Sequence, residues 1–228
     1  SSDLLYDYLR RTSDKVFINV DNPHLCQMAS ERNLQSDPER PYSLLIPYGL
    51  DYQGAEVLPS SPEHPFLRIS FPSEGKVVET NLVGSYNADN VMAAVAVGQQ
   101  FGVTFDEAAA AISAYMPSNN RSQMVRTGRN TLIVDAYNAN PTSMEAALKN
   151  FASLQADRKA ALLGDMLELG EDSIGEHIRV ASLALESGFE TVCFVGKEFR
   201  KAVGQLSDTR ASVFDTSADL ALWLSEHP

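Results

Sequence analysis

Cysteine is scarce: two in 228 residues leave no disulfide framework to hold a fold together. Cys26 and Cys193 each lie inside an apolar run, which predicts buried, reduced thiols in a cytoplasmic protein. Basic charge is also short, with 18 Lys and Arg against 30 Asp and Glu and a formal net charge of -12. A surface that negative repels phosphate backbones and anionic lipid heads, which argues against nucleic acids and membrane surfaces as partners. No apolar run approaches the ~18 residues of a membrane span. The longest candidates, Val91–Gly98 and Ala108–Met116, fall well short, and the opening SSDLLYDYLRR lacks the layout of a signal peptide. Several motifs are missing too. Gly196-Lys197 is followed by Glu198 and has Thr191 where a phosphate-binding GxxxxGK(S/T) loop needs its first glycine. There is no GxGxxG, HExxH, CxxC or GxSxG, and His24, His64, His177 and His227 are scattered without metal-ligand spacing.

What is present is an ordinary globular balance, 44 % hydrophobic and 21 % charged, in a length that suits one large domain or two small ones. Leu4, Leu5, Tyr8 and Leu9 are spaced as on a helix, and Lys15–Asn19 reads as a short buried strand, followed by a DNP turn and a helix from about Pro23. Between Tyr42 and Val83 the runs YSLLIPY, PFLRISF and GKVVETNLV alternate with Pro, Gly and Ser, predicting a small antiparallel sheet. A helix follows over Asn87–Gly102 with Val91, Met92 and Val95 on one side. A second is opened by Thr104 and Glu107 in capping-box spacing and closes at Met116-Pro117. The polar Ser118-Asn119-Asn120 makes the best linker. Beyond it TLIVD (Thr131–Asp135), ALLG (Ala161–Gly164), TVCFVG (Thr191–Gly196) and SVF (Ser212–Phe214) alternate with helices, predicting a parallel sheet covered on both faces. The fold class is α/β.

In such a sheet ligands meet the carboxyl ends of strands. The segment Asp135-Ala136-Tyr137-Asn138-Ala139-Asn140-Pro141 sits at one: a carboxylate for ribose hydroxyls, a ring for stacking a base, and an Asn-Pro helix start with amides for a phosphate. The plain alternative is a well-capped turn that binds nothing. Asn87 and Asn90, three apart at a helix start, suit an adenine edge; the competing reading is ordinary capping by Asn87 or Asp89. Gly164-Asp165-Met166-Leu167-Glu168-Leu169-Gly170-Glu171, with His177 six residues on, could serve an amine substrate or a divalent metal, or be a solvated acidic loop. Arg121 is placed for a phosphate contact. Spacing alone stops at a two-part α/β protein with a candidate nucleotide site.

The run DAYNANPTSM (Asp135–Met144) resembles the Mur ligases of peptidoglycan synthesis. GSYNADNVMAA, RSQM and GDMLELGEDSIGEH resemble three further stretches of that family in the same order, and KVFINVDNP resembles the strand and Asn-x-Asp turn of its central domain. Tyr86 departs from the family's usual His. The resemblance implies the back part of a P-loop-type ATPase domain with a small antiparallel sheet over residues 1–119, and a Rossmann-like parallel-sheet lobe over 120–228. Its P-loop, its metal-supporting lysine and its last segment would lie outside this chain, so the chain alone is expected to hydrolyse no ATP.

The implied activity is ATP-dependent amide-bond formation through an acyl phosphate, with ATP and magnesium as cofactors. YNANP points to a member that joins D-alanyl-D-alanine to UDP-N-acetylmuramoyl-tripeptide, as a cytoplasmic monomer. By the same resemblance Asn87 and Asn90 meet adenine, Asp135 the ribose, Tyr137 the base and Arg121 the phosphates, with the nucleotide between the lobes. Asn138 and Asn140 shape the nucleotide-binding loop and meet phosphate or acceptor, and Asp165, Glu168 and His177 lie on the acceptor side. The rival readings are another amino-acid-adding ligase, tripeptide-forming or folylpolyglutamate synthase, and a nucleotide-binding module without chemistry.

Overall fold

A computed structural model of the chain describes residues 2–12, 15–34, 44–61, 63–118, 120–206 and 208–227. Contacts divide it into two units, residues 1–60 with 66–116 and residues 61–65 with 117–228. Tyr42 and Ser43 of the YSLLIPY run, and Asn119 of the expected linker, lie outside the described residues.

In the first unit, helix α1 (Ser2–Thr12) leads to strand β1 (Lys15–Asn19) and helix α2 (Pro23–Glu31). Asn22 caps α2, its side-chain oxygen accepting from the amides of His24 and Leu25, and Pro23 fills the first helical position, where no amide is needed. The buried face of α1 is carried by Tyr6 and partly by Leu9, whereas Leu4, Leu5 and Tyr8 are exposed. Tyr6 joins Val16, Ile18, Met28, Ala29 and Leu34 in one core cluster.

Strand β2 (Leu44–Tyr48) pairs parallel with β1, from Lys15 opposite Leu44 to Asn19 opposite Tyr48. This corrects the expectation that YSLLIPY belongs to the antiparallel patch. Alternation marks a half-buried strand but says nothing of its partner. The short helix α3 (Leu50–Gln53) follows. The antiparallel sheet consists of β3 (Glu56–Leu58), β4 (Arg68–Phe71) and β5 (Lys76–Glu79), with β4 in the middle. It packs under α4 (Ala88–Gln100) and α5 (Phe105–Ala114): Ile69, Phe71 and Val78 meet Val91, Met92, Val95 and Phe105, with the Phe71 and Phe105 rings edge-on at 4.9 Å. Thr104 and Glu107 form the expected capping box on α5.

The second unit opens with β6 (Gln123–Arg126) and β7 (Thr131–Val134), an antiparallel pair. The sequence expectation put residues 131–135 in the parallel sheet as a buried strand. Instead β7 pairs with β6, and Thr131 and Leu132 are exposed. Helix α6 (Pro141–Ser153) leads to β8 (Ala160–Gly164), α7 (Ser173–Glu186), β9 (Thr191–Val195), α8 (Lys197–Leu206), β10 (Ala211–Phe214) and α9 (Ser217–Glu226). The parallel sheet has the order β10-β9-β8. Its central strand is the most buried, and Phe194 and Phe199 pack at 4.9 Å beside Val180, Ala181, Ala184 and Val192. Cys193 is buried, and burial pushes its thiol pKa up. Cys26, also expected to be buried, is half-buried and donates its S–H to the Val20 carbonyl at 3.3 Å. Among the described residues no helix is long and apolar enough to cross a membrane.

Candidate functional site

The segment after β7 is held at both ends. Asn120 and Ser122 take positive φ values of 57° and 47°, and the Asn120 carbonyl accepts the Ala136 amide at 2.8 Å. That bond ties the turn before β6 to the loop after β7. Between the two, the Arg121 guanidinium lies 3.5 Å from the centre of the Tyr137 ring, a cation–π stack on a ring that is 62 % exposed. Sequence reasoning named both residues but not this contact; a polar run before the strand was its only signal. At the far end Asn140 caps α6, accepting from the Ser143 amide at 2.9 Å while the Ser143 hydroxyl faces the Asn140 amide, with Pro141 at the first helical position. The Asn138 side-chain oxygen accepts the Ala139 amide at 3.0 Å. Asp135, Tyr137, Asn138 and Asn140 are all exposed. The loop therefore offers a carboxylate, a ring face and a guanidinium from one stretch of surface.

Asn87 and Asn90 are brought together in the first unit, with the Asn90 carboxamide donating to Asn87 Oδ1 at 3.3 Å. Asn87 itself is buried and donates to the Val83 carbonyl at 2.9 Å. It occupies the N-cap position of α4 without a side-chain capping bond, so the capping alternative does not hold for Asn87. Tyr86, at the position where the resemblance expects His, lies over Gly84: a Cβ there would sit 2.2 Å from the ring. With φ at +97°, only glycine suits that turn.

The acidic segment after β8 does not converge on a single point. Asp165 turns to α8, where its carboxylate accepts the Glu198 amide at 3.0 Å and the Phe199 amide at 2.9 Å. His177, fully buried, accepts the Met166 amide on Nε2 at 3.0 Å, and its Nδ1 lies 2.7 Å from the Ser173 carbonyl. Glu168 is exposed, with φ at +63°. Ser173 donates to Glu198, whose carboxyl is held below its usual range first by the Lys201 hydrogen bond and then by Ser173. Among the described residues no three His, Cys, Asp or Glu side chains are placed to hold a metal ion. The amine-or-metal reading of this segment thus has Glu168 facing solvent, while Asp165 and His177 bind backbone groups. The sequence signal that could have separated them is Gly196, which ends the neighbouring strand and leaves room for the Asp165 carboxylate.

Residues 120–223 match the family described as Mur ligase, glutamate ligase domain. The chain is 37 % identical over 141 residues to the UDP-N-acetylmuramoyl-tripeptide--D-alanyl-D-alanine ligase of Treponema pallidum (strain Nichols), covering 62 % of this chain and 30 % of that protein. It is 32 % identical over 210 residues to the ligase of the same name from Mycobacterium leprae (strain TN), covering 81 % and 40 %. Among solved structures, a crystal structure of MurF from Acinetobacter baumannii superposes with a TM-score of 0.74 at 22 % identity, over 97 % of this chain and 49 % of that one. The MurF ligase of Thermotoga maritima in complex with ADP gives 0.72 at 15 % identity, over 94 % and 47 %. These likenesses establish the fold as α/β with a parallel sheet and small antiparallel sheets. The chain spans under half the length of each of these relatives. Over residues 120–223 the second unit is thus a Mur ligase, glutamate ligase domain, and the chain as a whole is similar to the ligases named above.

Proposed function

We propose that the complete protein carrying this chain joins D-alanyl-D-alanine to UDP-N-acetylmuramoyl-tripeptide, using ATP, in peptidoglycan synthesis. In this reading residues 1–119 are the back part of a P-loop-type ATPase domain and residues 120–228 a Rossmann-like C-terminal domain. The observation that carries the reading is the loop Asp135–Asn140, with its exposed carboxylate, its exposed ring and the Arg121 guanidinium stacked on that ring. That donor set suits an adenine nucleotide: Asp135 for ribose hydroxyls, Tyr137 for the base and Arg121 for phosphate. Asn138 and Asn140 give the loop its shape through their bonds to Ala139 and Ser143. Asn87 and Asn90 supply carboxamides on the adenine side, and Glu168 faces the amine acceptor, with Asp165 and His177 behind it.

The chemistry fits these roles. A carboxylate is a poor acyl donor at neutral pH, and phosphorylation by ATP gives it a leaving group. The free amine of the dipeptide then attacks the acyl phosphate carbon, the amide forms and phosphate leaves. Positioning and exclusion of water supply most of the acceleration in such transfers. Magnesium would supply charge neutralisation at the phosphates, and among the described residues of this chain no three His, Cys, Asp or Glu side chains are placed to hold it.

The test is product formation by the complete protein with ATP, D-alanyl-D-alanine and UDP-N-acetylmuramoyl-tripeptide, read by mass. A product heavier than the nucleotide-tripeptide by one dipeptide less water is expected. Binding of ADP with no such product would favour the binding-module reading. Product with a single amino acid in place of the dipeptide would favour another amino-acid-adding ligase.

A further inference from the structure

His177 is fully buried on α7, yet both of its ring nitrogens have partners. The Ser173 carbonyl, 2.7 Å from Nδ1, only accepts, and the Met166 amide, 3.0 Å from Nε2, only donates. The pair is met by the tautomer with the proton on Nδ1 and the lone pair on Nε2. Asp165 Oδ1 lies 3.8 Å from Nε2, but its carboxylate already takes the Glu198 and Phe199 amides. The Phe199 ring stands edge-on to the imidazole at 4.7 Å and keeps it in place.

What that imidazole holds is the start of an outward loop. Met166 is 1 % exposed and Leu167 is 73 % exposed. Glu168 then adopts a left-handed backbone, as Gly170 does at +57°. A glutamate in that region needs its neighbours fixed, because β-carbon crowding favours other conformations. The Met166 amide is the last buried anchor before Leu167 turns outward.

We propose that His177 is a positioning residue for the amine acceptor: its Nε2 lone pair fixes the Met166 amide, and that bond sets where Leu167 and Glu168 stand. The inference rests on the proposed function, in which this loop faces the acceptor. His177 touches no substrate; it acts only through the Met166 backbone.

Two near-isosteric variants separate the two ends of the ring. Glutamine can place an acceptor oxygen near the Nε2 position, whereas asparagine reaches only the Nδ1 position. In the complete enzyme His177→Asn is expected to raise KM for D-alanyl-D-alanine at least tenfold while KM for ATP stays within twofold. His177→Gln is expected to stay within threefold of the parent for both. Equal behaviour of the two variants, or an equal rise in both KM values, would overturn the proposal. A second readout uses the 228-residue chain alone. Hydrogen exchange at the Met166 amide should quicken at least thirtyfold in His177→Asn and little in His177→Gln, and equal exchange in both overturns the role. If the parent enzyme does not use the dipeptide, the functional reading fails by itself, and amide exchange still decides whether His177 fixes the loop.

Discussion

The two units share a device at matching places, and they use it with different weight. In the first, Asp21 follows β1 and accepts the amides of Asp51 and Tyr52, two and three residues past Gly49 at the end of β2. In the second, Asp165 follows β8 and accepts the amides of Glu198 and Phe199, two and three residues past Gly196 at the end of β9. In each case an aspartate beyond one parallel strand caps the helix that leaves its neighbour. Each glycine is needed because a Cβ would strike the carboxylate, at 2.4 Å for Gly49 and 2.3 Å for Gly196. The helices differ: α3 has 4 residues and an exposed aspartate, whereas α8 has 10, a fully buried Phe199 and a partly buried aspartate. An acidic residue at the carboxyl end of a strand is therefore ambiguous. Asp21 and Asp165 hold the fold, while Asp135 lies on an exposed surface with a stacked ring two residues on.

The glycines should show the largest effects. Gly196→Ala combines a carboxylate clash with a φ of +120° and should cost about 3 kcal/mol. Gly49→Ala meets a similar clash beside a shorter, more exposed helix and should cost about 2 kcal/mol. Trp223, the only tryptophan, lies in the second unit, so its fluorescence in a denaturant titration reads that unit. Labelling of Cys26 reads the first. Equal losses from the two glycine variants would break the claimed difference in weight.

Removing the carboxylates comes next. Asp165→Ala should destabilise the second unit by about 2 kcal/mol, and Asp21→Ala the first by about 1 kcal/mol, as expected for a charged cap in partly buried and exposed settings. The same two titrations measure both. Thr104→Ala and Thr216→Ala remove capping boxes of like geometry, one in each unit, and should cost about 1 kcal/mol apiece. Unequal losses there would mean that the units differ in general robustness and not through their aspartates.

The smallest difference expected is in acid. The carboxyls of Glu145, Glu190, Glu198 and Asp208 are held below their usual values, in each case first by a hydrogen bond from Lys149, Arg158, Lys201 or Arg210. A depressed carboxyl adds stability above its unfolded pKa and loses it as pH falls through the folded pKa. In residues 1–60 and 66–116 Glu107 is the one described carboxyl with a resolved downward shift, caused by the Thr104 backbone and hydroxyl. The second unit should therefore soften more between neutral pH and the carboxylate range, seen as a falling midpoint for Trp223. Because Glu190 is exposed and Glu145, Glu198 and Asp208 are only partly buried, the drop should be slight and should shrink further in salt.

The sequence exposed local signals better than partnerships. Helix starts at Asn22-Pro23, Thr104 and Asn140-Pro141 were legible because capping is local chemistry. The strands at 15–19 and 191–195 were legible from apolar runs between turn residues. The β1–β2 and β6–β7 pairings were not, since periodicity carries no information about which strand lies alongside. In the candidate site the DAYNANP loop stood out by residue type, but the Arg121–Tyr137 stack depends on a turn at Asn120 and Ser122 whose left-handed backbone has no sequence signature beyond asparagine. Asp165 and His177 were visible as residue types; that they accept backbone amides follows only from what the parallel sheet sets beside them.

The central functional claim is that the loop after β7, and not the aspartates that cap helices, belongs to the nucleotide. Its most direct test is Asp135→Ala in the complete protein, measuring phosphate release that depends on both ATP and D-alanyl-D-alanine, with the Trp223 unfolding midpoint of the same variant of the 228-residue chain showing that it folds. The account predicts at least a tenfold loss in kcat/KM for ATP in an enzyme that remains folded. Near-normal ATP use in a folded Asp135→Ala enzyme would contradict it.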